Sequence, residues 1–195
     1  MKWIYLQKIL KNKKIKLFSV DELAILTGCS KHTACRLAQR YTKKGIFLKI
    51  KKGHYLIADL NLPDLVLASI IYQPSYISFE TALSYHHIIP ETVYTCTSAT
   101  PKITRQFKIK NKLFAYYKIK RGTFFGYKPT RIDRETVLLA DPEKALADYL
   151  YFVSIGKRAI NERFDLKPIN KKKLKNYIKL FKRKKLDQIY KKLFV

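Results

Sequence analysis

The sequence predicts an α+β protein of two domains, residues 1–58 and residues 63–195, joined by a linker at Asp59–Pro63. Helix-capping signals occur in the first part of the chain, and β-branched and aromatic residues are frequent in its middle. Two apolar stripes with helical spacing occur near its end. With 195 residues and 47% hydrophobic content, the chain is long and apolar enough to bury a core. The chain as a whole is therefore not a disordered basic segment.

The first domain opens with three predicted helices. An amphipathic helix covers about Lys2–Lys13, and the capping-box pattern Ser19-Val-Asp-Glu22 starts a short helix that stops at Gly28. Ser30 then caps a longer helix. The buried face of that helix follows the i, i+3, i+4, i+7 pattern and consists of Ala34, Leu37, Ala38 and Tyr41.

A hairpin follows these helices. Ile46–Ile50 and Tyr55–Ala58 are predicted strands, joined by the polar turn Lys51-Lys52-Gly53-His54. The order of helix, tight turn, helix and hairpin is typical of a winged helix-turn-helix domain. In such a domain the N-terminal end of the second helix enters a DNA major groove.

Eleven residues are predicted to contact DNA in this arrangement. Candidates for base edges lie near the start of the recognition helix and on its outer face: Lys31, His32 and Arg36. Two hydroxyls suit phosphate oxygens: Ser30 and Thr33. Two cations lie farther along and face the DNA backbone: Arg40 and Lys43. Four hairpin side chains reach phosphates or a minor groove: Lys49, Lys51, Lys52 and His54. The alternative is a solvated helix face and a soluble hairpin.

The charge favours a nucleic-acid partner over a membrane surface or an acidic protein, because the net charge is +27. Lys greatly outnumbers Arg, as codon usage in a low-GC genome would favour, so compositional drift is the alternative explanation for part of this excess. However, residues 1–58 carry 14 basic and 2 acidic side chains, residues 59–150 carry 12 and 9, and residues 151–195 carry 15 and 3. Uniform drift would not leave the middle nearly balanced, so selection at both ends is the better explanation.

The second domain is predicted to mix helices and strands. Pro63 begins a short helix to Ile71, and Ser78 caps a helix over Phe79–His87. Five strands are expected: Val93–Thr97, Arg105–Lys110, Leu113–Ile119, Phe124–Tyr127 and Thr136–Ala140. Asp141-Pro142-Glu143 caps and starts a helix to about Phe152. The C-terminal tail forms two short helices with a break near Lys182-Arg-Lys-Lys185, because its two apolar stripes are out of phase.

The lysines of this tail have two interpretations. In the first, they contact nucleic acid, RNA or an acidic toxin. In the second, they form the solvent-exposed face of packed helices. The chain starts with an amphipathic helix rather than a signal peptide, and no apolar run approaches the length of a membrane span. We therefore expect a cytoplasmic protein that acts without a membrane.

Catalytic and metal chemistry find no support in the sequence. Cys29, Cys35 and Cys96 match no zinc spacing and are expected to be reduced, unpaired thiols. No Walker loop, metalloprotease helix or nucleophile elbow is present. His86 and Glu143 have structural explanations in or near helices. We predict no catalytic residue, no metal and no cofactor, so the chain is not expected to be an enzyme.

Two short motifs resemble a known family. Tyr76-Ile-Ser-Phe-Glu-Thr-Ala-Leu-Ser-Tyr-His86 resembles the Y-I-S-x-x-S-A-L-x-x-H segment of AbiEi-type antitoxins, the transcriptional-regulator half of type IV toxin–antitoxin systems. Ala140-Asp-Pro-Glu-Lys-Ala-Leu-Ala-Asp148 is similar to the A-x-P-E-K-A-L-x-D helix of that family. The matched positions singled out are Ser78, Ala82, Tyr85, His86, Glu143 and Lys144.

The resemblance implies a phage-defence repressor that binds inverted repeats in the double-stranded operator DNA of its own promoter. Its second, antitoxin domain would oppose a neighbouring nucleotidyltransferase-like toxin, with or without touching it. Two alternatives stay open at this point. One is a nuclease or nucleotide-modifying enzyme with a DNA-targeting domain, and the other is a stand-alone winged-helix transcription factor with a sensing domain.

Overall fold

The computed structural model describes residues 2–58 and 62–194, and within them it shows a mixed α+β protein with eight α-helices and two β-sheets. The chain divides into two units, Met1–Leu62 and Pro63–Val195. Of the predicted linker, residues 59–61 lie outside the described part. The α+β class is therefore confirmed, and each unit is described below by itself.

Over residues 2–58, unit 1 contains three helices and a three-stranded antiparallel sheet. In chain order its elements are α1 (Trp3–Asn12), β1 (Leu17–Ser19), α2 (Val20–Thr27), α3 (Lys31–Lys43), β2 (Phe47–Lys51) and β3 (His54–Ile57). The strand order is β1-β3-β2, so the last strand pairs with both others. Strand β1 is too short for a sequence pattern to reveal it.

The capping signals of unit 1 act as the sequence predicts. Ser19 Oγ accepts from the N–H of Glu22 at 3.1 Å, and the Glu22 carboxylate accepts from the N–H of Ser19 at 2.6 Å. Gly28 ends α2 with a φ of +64°, a left-handed conformation that glycine adopts without strain. Ser30 Oγ caps α3 by accepting from the N–H of Thr33.

An aromatic cluster forms the centre of unit 1. The Phe47 ring lies 4.9 Å from Phe18, 5.5 Å from Tyr41 and 5.8 Å from Trp3, each measured between centroids. These residues come from α1, β1, α3 and β2, so the cluster fixes the helices against the sheet. The hairpin turn is shorter than predicted, because Lys51 and His54 pair with each other and only Lys52 and Gly53 lie between the strands.

Unit 2 contains five helices and a six-stranded mixed sheet within its described residues. Its elements are α4 (Asp64–Ile71), β4 (Tyr76–Ile77), α5 (Phe79–Tyr85), β5 (Thr95–Thr100), β6 (Arg105–Ile109), β7 (Lys112–Lys118), β8 (Tyr127–Ile132), β9 (Glu135–Ala140), α6 (Pro142–Ser154), α7 (Lys171–Leu180) and α8 (Lys184–Leu193). The strand order is β6-β7-β5-β4-β9-β8. The pairs β5–β7 and β4–β9 are parallel.

The predicted strand at Phe124–Tyr127 is wrong. A 3-10 turn covers Arg121–Thr123, and the strand β8 starts only at Tyr127. Gly126 has a φ of +82°, which breaks the extended conformation before the strand begins. The aromatic composition of this segment serves packing instead, because the Phe124 ring lies 5.2 Å from that of Tyr76.

Helix α6 is the central helix of unit 2 and packs against α5, α7 and α8. Ten of its thirteen residues are buried, and four of these ten are polar or charged: Glu143, Lys144, Asp148 and Ser154. The predicted break in the C-terminal tail is confirmed, since α7 and α8 are separated at Phe181–Arg183. In the described part of the chain, no helix combines the length and the apolar character needed to cross a bilayer.

We predict that Gly126→Ala destabilises unit 2 by about 2–4 kcal/mol, because backbone strain and overpacking add. A Cβ at Gly126 would lie 2.8 Å from Tyr177 Oη and 2.9 Å from its ring, at a φ that alanine rarely adopts. Gly156→Ala is the matched control, because its φ is +73° but no atom lies within 4 Å of the added Cβ. We expect it to cost only about 1 kcal/mol. Urea unfolding followed by circular dichroism measures both, and equal losses would contradict the contact with Tyr177.

Candidate nucleic-acid interface

Helix α3 divides into a buried and an exposed face. Its buried residues are the four that the sequence predicts: Ala34, Leu37, Ala38 and Tyr41. Nine of the eleven predicted DNA-contacting residues are exposed: Ser30, Lys31, His32, Thr33, Arg36, Arg40, Lys43, Lys49 and Lys52. Lys51 and His54 are half-buried. At 100° per residue, His32, Arg36 and Lys43 lie within about 40° of one another on the outer face of α3.

A groove of about 730 Å³ lies between the start of α3 and the β2–β3 hairpin. Lys31 and His32 line it from the helix. Three hairpin residues line it from the other side: Lys49, Lys52 and His54. Five predicted contact residues from two elements therefore meet at one concave surface. Arg36, Arg40, Lys43, Ser30, Thr33 and Lys51 do not line this groove.

The groove also contains residues that were not singled out from the sequence. Cys35 and Gln39 line it because they follow Lys31 at intervals of four residues, a helical spacing that could have revealed them. Asp21 at the start of α2 also lines the groove, and its carboxylate lies 2.7 Å from Lys31 Nζ. Both side chains are more than 60% exposed, so this ion pair contributes little to stability.

Four of the predicted contact residues also have partners inside unit 1. The hydroxyls of Ser30 and Thr33 lie 3.0 Å apart, so the phosphate role predicted for them competes with the cap of α3. The Arg40 guanidinium lies 5.2 Å from the centroid of the Tyr41 ring, which anchors its stem beside the core. His54 Nδ1 donates to the carbonyl oxygen of Lys52 at 3.1 Å, which orients the imidazole at the hairpin turn.

Unit 2 places two of the family-motif residues at a buried polar cluster, which we call the Asp148 cluster: Tyr76, Ser78, Lys144 and Asp148. Tyr76 Oη and Ser78 Oγ each donate to Asp148 Oδ2 at 2.8 Å, and Lys144 Nζ forms an ion pair with Asp148 Oδ1. All four are at least 99% buried. The predicted capping role of Ser78 is therefore wrong: it precedes α5, but its hydroxyl is used by Asp148.

The electrostatic environment of the Asp148 cluster keeps Tyr76 protonated, so that it acts as the donor to Asp148. Burial, together with the adjacent Asp148 carboxylate, holds the pKa of Tyr76 well above its ordinary value, so Tyr76 retains its proton and donates. Lys144 Nζ also lies 5.6 Å from the Tyr76 ring centroid and 5.3 Å from that of Phe181. The ammonium group thus has one carboxylate and two aromatic faces around it.

The remaining family-motif residues have structural partners. Ala82 is fully buried in α5, and Tyr85 is exposed beside it. His86 Nε2 donates to the carbonyl oxygen of Ala140 at 2.8 Å, which connects the end of α5 to the end of β9. Glu143 accepts from the N–H of Asn170 at 3.1 Å and thereby holds the start of α7.

Asp141 does not cap α6 with its side chain, contrary to the prediction. Its carboxylate instead accepts from Lys173 Nζ at 2.8 Å and from Tyr177 Oη at 3.3 Å. Burial lowers the pKa of Lys173, but hydrogen bonds to Asp141 and Glu143 outweigh it and raise the pKa above its ordinary value. This ion pair attaches α7 to the start of α6.

The cysteines are free thiols: Cys29, Cys35 and Cys96. Burial, followed by the nearby Asp64 carboxylate, raises the pKa of Cys96 to about 12, so this thiol is protonated at neutral pH. Across residues 2–58 and 62–194, no group of three or more His, Cys, Asp or Glu side chains is arranged to hold a metal ion.

No protein-family model matches the chain, and a search of curated proteins finds no match.

We predict that Lys144→Met destabilises unit 2 by about 3–5 kcal/mol, because it leaves the Asp148 carboxylate buried without a counter-charge. Urea unfolding monitored by circular dichroism measures the loss. The double variant Lys144→Met/Asp148→Asn removes both charges and retains an acceptor for Tyr76 and Ser78. It should be more stable than the single variant, and a double variant that is less stable would show that the charge is not the cause.

Proposed function

We propose that unit 1 is a winged helix-turn-helix domain and that the chain is a sequence-specific DNA-binding repressor of its own operon. The observation that carries this proposal is the meeting of lysine and histidine side chains from α3 with lysines from the β2–β3 hairpin around one groove. The helix supplies Lys31 and His32, and the hairpin supplies Lys49 and Lys52. In winged-helix proteins these two elements contact the major groove and the adjacent backbone.

The division of α3 into two faces supports the role of recognition helix. Its apolar face is used by the core, so the outer face with His32, Arg36 and Lys43 is available to a partner. Arg36 is the candidate for specificity, since a guanidinium bonds O6 and N7 of guanine together. The hairpin cations and Arg40 serve the phosphates, which position the domain without reading sequence.

The electrostatics of unit 1 agree with this assignment. Residues 1–58 carry a net charge of +12, and their two acidic side chains, Asp21 and Glu22, both lie in the first turn of α2. Glu22 is used by the capping box, and Asp21 pairs with Lys31. Operator binding is therefore expected to weaken steeply with salt, because each phosphate contact releases condensed counterions.

The antitoxin role belongs to the same proposal and rests on the resemblance of the two motifs to AbiEi-type antitoxins. In unit 2 the motif residues Ser78 and Lys144 meet at the Asp148 cluster, and His86 and Glu143 connect neighbouring elements. These contacts give the motif residues a structural reason to occur together. The partner would be a nucleotidyltransferase-like toxin encoded beside this chain.

We predict that Arg36→Ala weakens binding to the operator by about 1–3 kcal/mol and relaxes specificity at one base pair, because it removes a contact to guanine. Fluorescence anisotropy with the DNA just upstream of the gene, against a scrambled duplex, measures both effects. Lys8→Ala is the matched control, since Lys8 is an exposed cation on α1. Unchanged binding of Arg36→Ala to every duplex would mean that α3 is not the recognition helix.

We also predict that the chain restores growth to cells expressing the neighbouring toxin, and that Arg36→Ala retains this activity when both genes have foreign promoters. Neutralisation by unit 2 would not need operator binding, so only repression should be lost. Colony counts after induction measure the rescue, and reporter expression from the native promoter measures repression. Failure of both the parent chain and Arg36→Ala to rescue growth would refute the antitoxin role and leave the repressor role to be judged by the reporter.

A further inference from the structure

A pocket of about 510 Å³ lies in unit 2 beside helix α4, and we call it the α4 pocket. Its volume falls within the range of small-molecule binding sites. Helix α4 and the segment after it supply five of the nine lining residues, and the other four come from residues 124–138. The function proposed above gives this pocket no role.

The α4 pocket is lined by neutral residues. None of its nine lining residues, all in the described part of the chain, is acidic, basic or a histidine, although 28% of the whole chain is charged. A phosphate or carboxylate group is bound most strongly by charge-assisted hydrogen bonds, and the lining has no cation to supply them. The ligand that fits this pocket is therefore neutral.

Two aromatic rings form part of the lining. The Tyr127 ring stacks on that of Tyr76, with centroids 4.6 Å apart and planes inclined by 25°. The Phe124 ring lies 5.4 Å from Tyr127. Phe124 and Tyr127 line the pocket and are only half-buried, so part of each ring is accessible. Such rings favour a planar ligand that packs against them.

Gln73 supplies an amide of fixed orientation. Its Nε2 donates to the carbonyl oxygen of Ser69 at 2.9 Å, which identifies the nitrogen end of the amide. No other hydrogen bond of this amide occurs among the described residues, so Oε1 and one N–H are available. An amide that offers one acceptor and one donor matches the N6 amino group and the N7 acceptor of adenine.

Ser75 adds an unsatisfied polar group to the lining. The residue is 5% exposed, and within the described part of the chain its buried hydroxyl has no hydrogen-bond partner. Hydroxyls buried without a partner are unfavourable and uncommon in folded proteins. A polar atom of a ligand in the pocket would supply the missing partner.

We propose that the α4 pocket binds a free adenine nucleoside. The base packs against Phe124 and Tyr127, Gln73 recognises its N6 and N7 atoms, and Ser75 supplies a further hydrogen bond. Such a site would give unit 2 a sensing role. The inference does not rest on the proposed DNA-binding function, because every lining residue belongs to unit 2.

The test measures the binding of adenosine to the full chain by saturation-transfer NMR and titration calorimetry. Adenosine should bind about 10-fold more tightly than inosine, which carries a carbonyl oxygen in place of the amino group. Gln73→Leu should remove this preference. Ser75→Ala should weaken adenosine binding without lowering the melting temperature, because it removes a hydroxyl that has no partner in the folded chain.

A blocking variant and its matched control locate the ligand. Thr136→Trp should abolish measurable binding, because Thr136 is an exposed residue of β9 that lines the pocket. Thr130→Trp is the control on the neighbouring strand β8. Thr130 pairs with Val137, which places it on the other face of the sheet, so this variant should bind adenosine normally. Circular dichroism spectra and melting curves confirm that each variant is folded.

An absence of adenosine binding to the parent chain at millimolar concentration would overturn the proposal. Binding that Thr136→Trp and Thr130→Trp reduce equally would also overturn it. So would binding of adenosine 5′-monophosphate without binding of adenosine, since the phosphate and not the base would then be recognised. None of these measurements includes DNA, so their failure leaves the repressor proposal to the Arg36→Ala test.

Discussion

The buried ion pair between Lys144 and Asp148 is the interaction on which unit 2 depends. Two charges taken out of water are unfavourable unless each is surrounded by partners, and here Asp148 accepts from Lys144, Tyr76 and Ser78 at once. These partners come from β4, from the residue before α5 and from α6. A shift of any of these elements would leave a charge or a hydroxyl unpaired in the core, so the cluster fixes their relative positions.

Local signals in the sequence predict much of the fold. The capping box at Ser19, the left-handed Gly28, the Pro142 start of α6 and the break before Lys184 each depend on a few neighbouring residues, and the structure contains all of them. The short strands β1 and β4 were not predicted. They have three and two residues, and they exist because distant strands pair with them, as Tyr76 does with Ala99. Phe18, Tyr76 and Ile77 do favour strands, but two or three residues are too few to predict a strand or its partners.

The candidate site could also be predicted only in part from the sequence. Helical periodicity alone places the outer face of α3, because the apolar residues Ala34 and Tyr41 define the opposite side. The hairpin cations that meet Lys31 across the groove depend on tertiary packing. The roles of Ser78 and Asp141 were misassigned for the same reason. Each stands where a helix cap is expected, but a partner from far along the chain, Asp148 or Lys173, uses its side chain.

The basic side chains of the protein occur in two environments, and the difference between them bears on the origin of the +27 charge. Lys144 and Lys173 are held by carboxylates and serve the packing of α6. Arg36, Arg40 and Lys43, by contrast, lie within about 60° of one another on the exposed side of α3, where like charges repel. If the excess were only a bias towards lysine, the middle of the chain would share it, yet residues 59–150 are nearly balanced. Like charges grouped on one helix face agree with the nucleic-acid partner that we propose, which would neutralise them.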